Sequence, residues 1–107
     1  MNITVVDSGA HLVAFSRIDG ALLAAIDIAQ KKATTASLFQ ENTELLGEKL
    51  QPGMPLFGIE HSNNGLITFA GGIPIKNKHG IIIGAIGVSG STVENDFIVA
   101  QAGAHVL

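Results

Sequence analysis

The stretch from Gly71 to Gly90 reads GGIPIKNKHGIIIGAIGVSG and contains the strongest strand signals in this sequence. Two apolar segments flank a polar turn at residues 77–80, a pattern that predicts a β-hairpin. The second segment carries glycines at positions 84, 87 and 90, where a buried strand normally carries bulky side chains. Glycine inside a strand marks a bulge, a bend or a close approach by a ligand or another backbone. We therefore expect something to lie against this strand.

The composition excludes several classes of protein. The 107 residues suit one domain, and the charged fraction of 14% lies below the roughly 25% of an average soluble domain, which predicts a homo-oligomer. The sequence contains only six Lys and Arg residues and nine Asp and Glu residues, so no basic patch for nucleic acid is expected. The apolar segments are too short for a membrane span, and we expect a soluble, cytoplasmic protein. The absence of cysteine excludes disulfides and thiolate catalysis.

The order of the predicted elements is ββα(α)βββα, which indicates an α+β fold with an antiparallel sheet. The predicted strands cover residues 2–7, 11–16, 66–70, 73–76 and 81–88. A long helix is predicted at 21–39, a short one from 42 or 43 to 50, and a last one at 94–104. Asp19 and Thr92 are placed as N-caps of the long and the last helix, and Leu22 begins the apolar face of the long one.

Catalytic motifs are weak in this sequence. Residues 87–91 read GVSGS at a strand-to-helix junction, but a nucleophile elbow requires glycine at the fifth position, and no convincing triad partners follow. The glycine spacing of three also differs from the GxGxxG of dinucleotide-binding proteins. We therefore predict no catalytic residue, and a binding protein fits the sequence better than an enzyme does.

The four histidines are not spaced as metal-binding pairs. His79 lies in a turn and His105 in the last helical turn, where a histidine can interact with the helix dipole. His11 begins a strand and His61 precedes a turn, so these two are better placed to bind a ligand.

Two basic residues are candidates for binding a carboxylate. A planar guanidinium such as that of Arg17 fits a carboxylate in a bidentate way, and Lys32 supplies a second positive charge. The structural alternatives are a surface ion pair of Arg17 with Asp19 and a solvated helix face that carries Lys32.

Three blocks of the sequence carry a resemblance to a known family. They are residues 5–7, 9, 11–13, 17 and 19–20; residues 28–29, 32–33, 35–36 and 39; and residues 71–72, 74–75, 80, 83–90, 96, 99–100 and 102–103. These blocks resemble the GlcG/HbpS-like haem-degrading family, which includes the C-terminal domain of some corrinoid adenosyltransferases. The resemblance covers nearly the whole chain.

The resemblance implies a three-layer α/β/α domain with a five-stranded antiparallel sheet of profilin-like type, assembled as a dimer or larger ring. It implies haem or a related tetrapyrrole as the ligand. Weak haem degradation, or an accessory role in diol, glycerol or glycolate utilisation, is implied for some members. Members usually begin with an N-terminal helix, so residues 1–107 are expected to form a single domain that lacks it.

The haem hypothesis assigns roles to residues on several elements. The candidate cofactor-binding residues are His11, Arg17, Lys32, Thr35, His61, Gly84 and Gly87. His11 or His61 would supply an axial nitrogen to the metal, Thr35 is a weaker oxygen ligand, and Arg17 or Lys32 would pair with propionates. The alternative is a non-catalytic structural or assembly subunit without a cofactor, whose glycines only let strands or subunits pack.

Overall fold

The computed structural model describes residues 1–106, which form four strands and three α-helices. In chain order these elements are β1 (Asn2–Asp7), β2 (Leu12–Arg17), α1 (Ala24–Phe39), α2 (Thr43–Glu48), β3 (Gly72–Lys76), β4 (Ile82–Ser89) and α3 (Val93–Ala104). A short 3-10 helix, Ile59–His61, lies between α2 and β3. The strands form one antiparallel sheet in the order β2-β1-β4-β3, which confirms the predicted α+β class. Within the described residues, no helix combines the length and the apolar character needed to cross a bilayer.

The two long helices cover opposite faces of the sheet. Ala33 of α1 packs in a buried cluster with Ala85 of β4. Ala100 of α3 packs in a different cluster with Ile86, the next residue of the same strand. Because successive residues of a strand point to opposite faces, the two helices belong to different layers. The chain therefore has the three-layer α/β/α arrangement.

The predicted strand at residues 66–70 is wrong, and the sheet has four strands where five were expected. Side chains on the helices take up the backbone hydrogen bonds of this segment. The amide of Ile67 donates to Thr35 Oγ1 at 3.2 Å, and the carbonyl of Phe69 accepts from Thr43 Oγ1 at 2.7 Å. These contacts satisfy groups that a neighbouring strand would otherwise have to pair. The segment therefore runs as irregular chain beside α1 and α2.

Gly72 and Gly87 are direct partners across the β3–β4 hairpin, and α1 crosses above them. A Cβ atom at Gly87 would lie 2.5 Å from the amide nitrogen of Ala33, and one at Gly72 would meet the carbonyl oxygen of Lys32. Real side chains do not tolerate such contacts with rigid helix backbone. The close approach expected at this strand is therefore made by the chain's own helix.

The start of α1 differs from the prediction, whereas the start of α3 agrees with it. α1 begins at Ala24, and its N-cap position is occupied by a residue that makes no capping bond, so Asp19 does not cap it. Leu22 lies before the helix and is 68% exposed, which contradicts its predicted place on the buried face. Thr92 caps α3 as predicted, since its side chain accepts a hydrogen bond from the amide of Asn95 at 3.1 Å.

Replacing Gly87 by alanine is expected to lower the free energy of unfolding by about 1–3 kcal/mol, because α1 would have to move away from the sheet. Gly103→Ala is the matched control. Its new Cβ would meet only the end of the flexible Ile86 side chain, at 2.5 Å, and alanine favours the helix by about 1 kcal/mol. Urea unfolding measures both variants, and equal destabilisation would contradict the backbone contact at Gly87.

Candidate functional site

A buried ion pair joins the helices on the two faces of the sheet. Lys32 Nζ donates to Asp96 Oδ2 at 3.1 Å and to the carbonyl of Val88 at 2.8 Å. The second carboxylate oxygen of Asp96 accepts from the amide of Ser91 at 3.1 Å. The ring of Phe69 lies 5.0 Å from the ammonium, within the range of a cation–π contact. The charges of both partners are therefore compensated inside the protein.

The burial of Lys32 corrects its predicted role. Its side chain has no exposed surface, and burial lowers its pKa while the hydrogen bond and charge of Asp96 oppose that shift. The ammonium already donates to a carboxylate and a carbonyl, so a propionate has no access to it. Lys32 is a structural residue of this fold rather than the ligand-binding residue that was predicted.

Three other predicted site residues are also used for packing. Thr35 is 1% exposed, donates to the carbonyl of Lys31 at 2.7 Å and accepts from the irregular segment after α2. Gly84 is buried, and a Cβ atom there would meet the carbonyl oxygen of Val6 on the neighbouring strand β1. Gly87 lies under α1. These positions are closed to a ligand by the chain itself.

His11 is exposed and contacts a carboxylate. It lies in the turn between β1 and β2, and its side chain is 80% exposed. Its Nδ1 lies 3.2 Å from each carboxylate oxygen of Asp7. A histidine that binds a metal commonly contacts a carboxylate through its other nitrogen, which fixes the orientation of the ring. The contact with Asp7 thus leaves Nε2 of His11 as the nitrogen available to a metal.

Asp7 is a candidate site residue that the sequence analysis did not select. Its Oδ1 accepts hydrogen bonds from the amides of His11 and Gly9, both at 2.9 Å. The bond from the His11 amide is the main reason that the pKa of Asp7 lies below its usual value. An Asp at the end of a strand, followed by Ser-Gly, is typical of a turn in which the carboxylate binds nearby amides. That signal was available in residues 7–9.

The remaining predicted residues are exposed but lie apart. Arg17 stands at the far end of β2 from His11, about 20 Å away at about 3.3 Å per residue, and donates to the carbonyl of Ala21 at 3.2 Å. His61 ends the exposed 3-10 helix before β3. Within residues 1–106, no three His, Asp or Glu side chains form a group that could hold a metal ion. One chain therefore does not bring His11 and Arg17 to the same small ligand.

A cavity of about 520 Å³ lies beside β3, at the opposite edge of the sheet from β2. Its lining includes Asn42, Ile73, Pro74, Lys76, Gln101 and His105. None of the predicted site residues contributes to this lining. The His11 hairpin and this cavity are therefore separate features of the molecule.

Residues 1–105 match the model of the family described as haem degrading protein HbpS-like. The chain belongs to this family. An uncharacterised 15.0 kDa protein from the dhaT–dhaS intergenic region of Citrobacter freundii is 37% identical over 99 residues, or 92% of this chain and 69% of that protein. The corrinoid adenosyltransferase PduO of Salmonella typhimurium is 37% identical over 100 residues, or 92% of this chain but 30% of PduO. The chain thus spans less than a third of that enzyme.

A solved structure of this family has almost the same fold. The crystal structure of the PduOC:haem complex superposes with a TM-score of 0.92 and 34% sequence identity. The match covers 99% of this chain and 77% of the PduOC chain. The described layers and helices are therefore those of the family.

Asp96→Asn is expected to lower the free energy of unfolding by about 3 kcal/mol, because it leaves the Lys32 ammonium buried without a counter-charge. The matched control is Asp27→Asn, which breaks the exposed pair of Asp27 with Lys31 at 3.0 Å and costs less than about 1 kcal/mol. Urea unfolding at neutral pH measures the difference, and equal costs would contradict the burial of the pair.

The Asp96→Asn variant also has an expected pH dependence. Burial lowers the pKa of Lys32 in the folded protein, whereas the unfolded chain keeps the ordinary value of 10.5. The unfolded state therefore binds more protons between these two values, and the stability of the variant should rise as the pH increases toward 10.5. Lys32→Met, which has no titrating group at this position, is the reference. If the free energy of unfolding of Asp96→Asn stays flat or falls over this alkaline range relative to Lys32→Met, the lowered pKa of Lys32 is contradicted.

Proposed function

We propose that this chain binds haem at the β1–β2 hairpin, with His11 as the axial ligand of the iron. The main support is the likeness to the PduOC:haem complex, which extends over 99% of this chain at a TM-score of 0.92. The family description, haem degrading protein, points to the same ligand. Haem supplies a redox-active iron that a protein holds through an axial side chain.

The surroundings of His11 fit such a ligand. The Asp7 carboxylate orients the ring through Nδ1, and a carboxylate in this position raises the basicity of the nitrogen that binds the metal. Leu12 and Val13 follow directly and are 58% and 63% exposed, so they offer apolar contact area to a flat macrocycle. These residues support haem better than a free metal ion, which needs several protein ligands.

Arg17 of a second copy of the chain is the proposed partner of a haem propionate, because Arg17 and His11 of one chain lie about 20 Å apart along β2. Its guanidinium is exposed and donates to one carbonyl, that of Ala21, which leaves donor groups available for a carboxylate. His61 is the second candidate for the axial position, because it is exposed on the 3-10 helix. Lys32 and Thr35 have no part in this proposal, since both are buried by the fold.

A second candidate function is that of an assembly subunit without a cofactor. It is favoured by the packing roles of Gly84, Gly87 and Lys32, which account for these residues without any ligand. In this case the relatives' haem or corrinoid chemistry would not extend to this chain. Haem titration separates the two candidates.

His11→Ala is expected to abolish the saturable change in Soret absorbance when haem is added, because the axial nitrogen is lost. Asp7→Asn should weaken binding by about 10–100-fold, since the ring is no longer held by a carboxylate. His79→Ala is the matched control, because His79 is also exposed in a hairpin turn. Titration followed at the Soret band gives the affinity of each variant.

Three outcomes of this titration distinguish between His11 as the axial ligand, His61 as the axial ligand and no haem binding. Loss of binding in His11→Ala alone supports the proposed ligand. Loss in His61→Ala, with His11→Ala unchanged, transfers the axial role to His61. A parent chain whose spectrum matches free haem at every ratio rejects haem binding and leaves the assembly subunit.

A further inference from the structure

The cavity of about 520 Å³ beside β3, which we call the β3 cavity, reaches both helix layers of the fold. One wall comes from residues 40–42 and Leu45, after the end of α1, and the other comes from the last turn of α3. Strand β3 and the turn residue Asn77 lie between these walls. The volume is in the range of a pocket for a small organic molecule. The His11 hairpin lies at the opposite edge of the sheet, so a molecule in the β3 cavity would be a second ligand.

The outer edge of β3 presents a backbone acceptor to the cavity. The amide of Gly72 donates to Thr43 Oγ1 at 3.0 Å, and the carbonyl of Gly72 accepts from the same hydroxyl at 3.4 Å, so both groups point away from β4. Alternate residues of an antiparallel strand direct their backbone groups to the same side, so the carbonyl of Pro74 also points outward. Pro74 lines the cavity and has no amide, which disfavours a further strand at this edge. The Pro74 carbonyl therefore favours a ligand that donates a hydrogen bond.

The C-terminal ends of two helices border the β3 cavity. Gln40 is the C-cap of α1 and His105 is the C-cap of α3, and both residues line the cavity. The last carbonyl groups of a helix carry a partial negative charge, which a basic side chain in the last turn commonly compensates. Neither helix has a basic residue in its last turn. The two helix ends therefore favour a positively charged group on the ligand.

Lys76 brings a positive charge to the same cavity. It is exposed at the end of β3, and within residues 1–106 the four ion pairs engage other side chains. Glu41, the acidic residue of the lining, already binds Lys49 Nζ with both carboxylate oxygens at 3.0 Å. The Oδ1 of Asn77 accepts two backbone amides of the turn, which leaves its Nδ2 to donate to a ligand. Lys76 and Asn77 together favour a carboxylate.

We propose that the β3 cavity binds a small zwitterion with one ammonium and one carboxylate group, as a free amino acid has. Lys76 and the side-chain amide of Asn77 bind the carboxylate. The carbonyl of Pro74 and the two helix ends bind the ammonium, which supplies hydrogen-bond donors to these acceptors. Leu45 and Ile73 also line the cavity and offer apolar contact to an aliphatic side chain. A ligand with only one of the two charges would leave one set of groups unpaired, which lowers its affinity.

L-Leucine is the probe for this site, because it has both charges and an aliphatic side chain. Two-dimensional amide NMR of the parent is expected to show saturable shifts for cavity residues such as Lys76, Asn77 and Gln101 as leucine is added. N-acetyl-L-leucine lacks the ammonium, and L-leucinamide lacks the carboxylate. Each should bind at least about tenfold more weakly than leucine, since one charged hydrogen-bonding group is lost.

Lys76→Gln separates the carboxylate contact from general effects of charge. It should weaken leucine binding about tenfold and should abolish the preference for leucine over L-leucinamide. The matched control is Lys78→Gln, which removes the same charge two residues away, at an exposed turn position outside the cavity lining. This control should bind leucine as the parent does. Both lysines are exposed, so urea unfolding should give nearly the parent stability for both variants.

Several results would overturn the zwitterion site. They are equal binding of leucine and N-acetyl-L-leucine, equal loss of binding in Lys76→Gln and Lys78→Gln, and the absence of saturable shifts with alanine, leucine and phenylalanine alike. The site does not depend on the proposed haem function, so leucine should bind His11→Ala as tightly as it binds the parent. A parent that binds leucine but no haem would reject the haem proposal and leave the zwitterion site standing.

Discussion

The approach of the α1 backbone to the β3–β4 hairpin is the constraint on which the rest of the structure depends. Gly72 and Gly87 are paired on adjacent strands, so the sheet carries no side chains at this point. The turns of α1 around Ala29 and Ala33 pack directly against the backbone of these strands. Ala29 and Ala33 are fully buried at this contact. The small residues of α1 and the glycines of the hairpin therefore pack against each other, and the contact needs both.

The position of α1 also determines where Lys32 goes. The side chain passes the start of β3 and reaches Asp96 on the far layer, and a Cβ atom at Gly71 would lie 2.7 Å from its Nζ. Gly71 therefore leaves room for the ammonium, as Gly72 does for the helix. Buried ion pairs add little net stability, but a misplaced partner is costly. The pair fixes α1 and α3 relative to each other across the sheet.

Features with local causes could be predicted from the sequence. The β3–β4 hairpin follows from two apolar segments around a polar turn, and Thr92 was recognised as a cap because its partner is three residues away. The failures have distant causes. Residues 66–70 have strand-like composition, but hydroxyl groups on two helices take their hydrogen bonds. Lys32 looked like a surface residue because its partner, Asp96, is 64 positions away.

The same distinction between local and distant causes applies to the residues of the candidate site. His11 was selected because it begins a strand next to a turn, and the structure places it where a ligand could reach it. Asp7 was missed, although an Asp before Ser-Gly at the end of a strand is typical of a turn in which the carboxylate binds nearby amides. The buried glycines were assigned to a ligand because a sequence does not reveal which backbone comes close. The structure shows that helix α1 comes close to Gly87 and strand β1 comes close to Gly84, both from the same chain.

The strand order has a consequence for how this chain comes to be folded. β1 lies inside the sheet, between β2 and β4, and Asn2 pairs with Ser89 near the other end of the sequence. Contacts between such distant residues close a long loop, which costs entropy and slows folding. On the ribosome, the first hairpin emerges long before β4 exists. Until the last strand has been synthesised, β1 lacks its β4 partner and one of its edges stays open to wrong pairing.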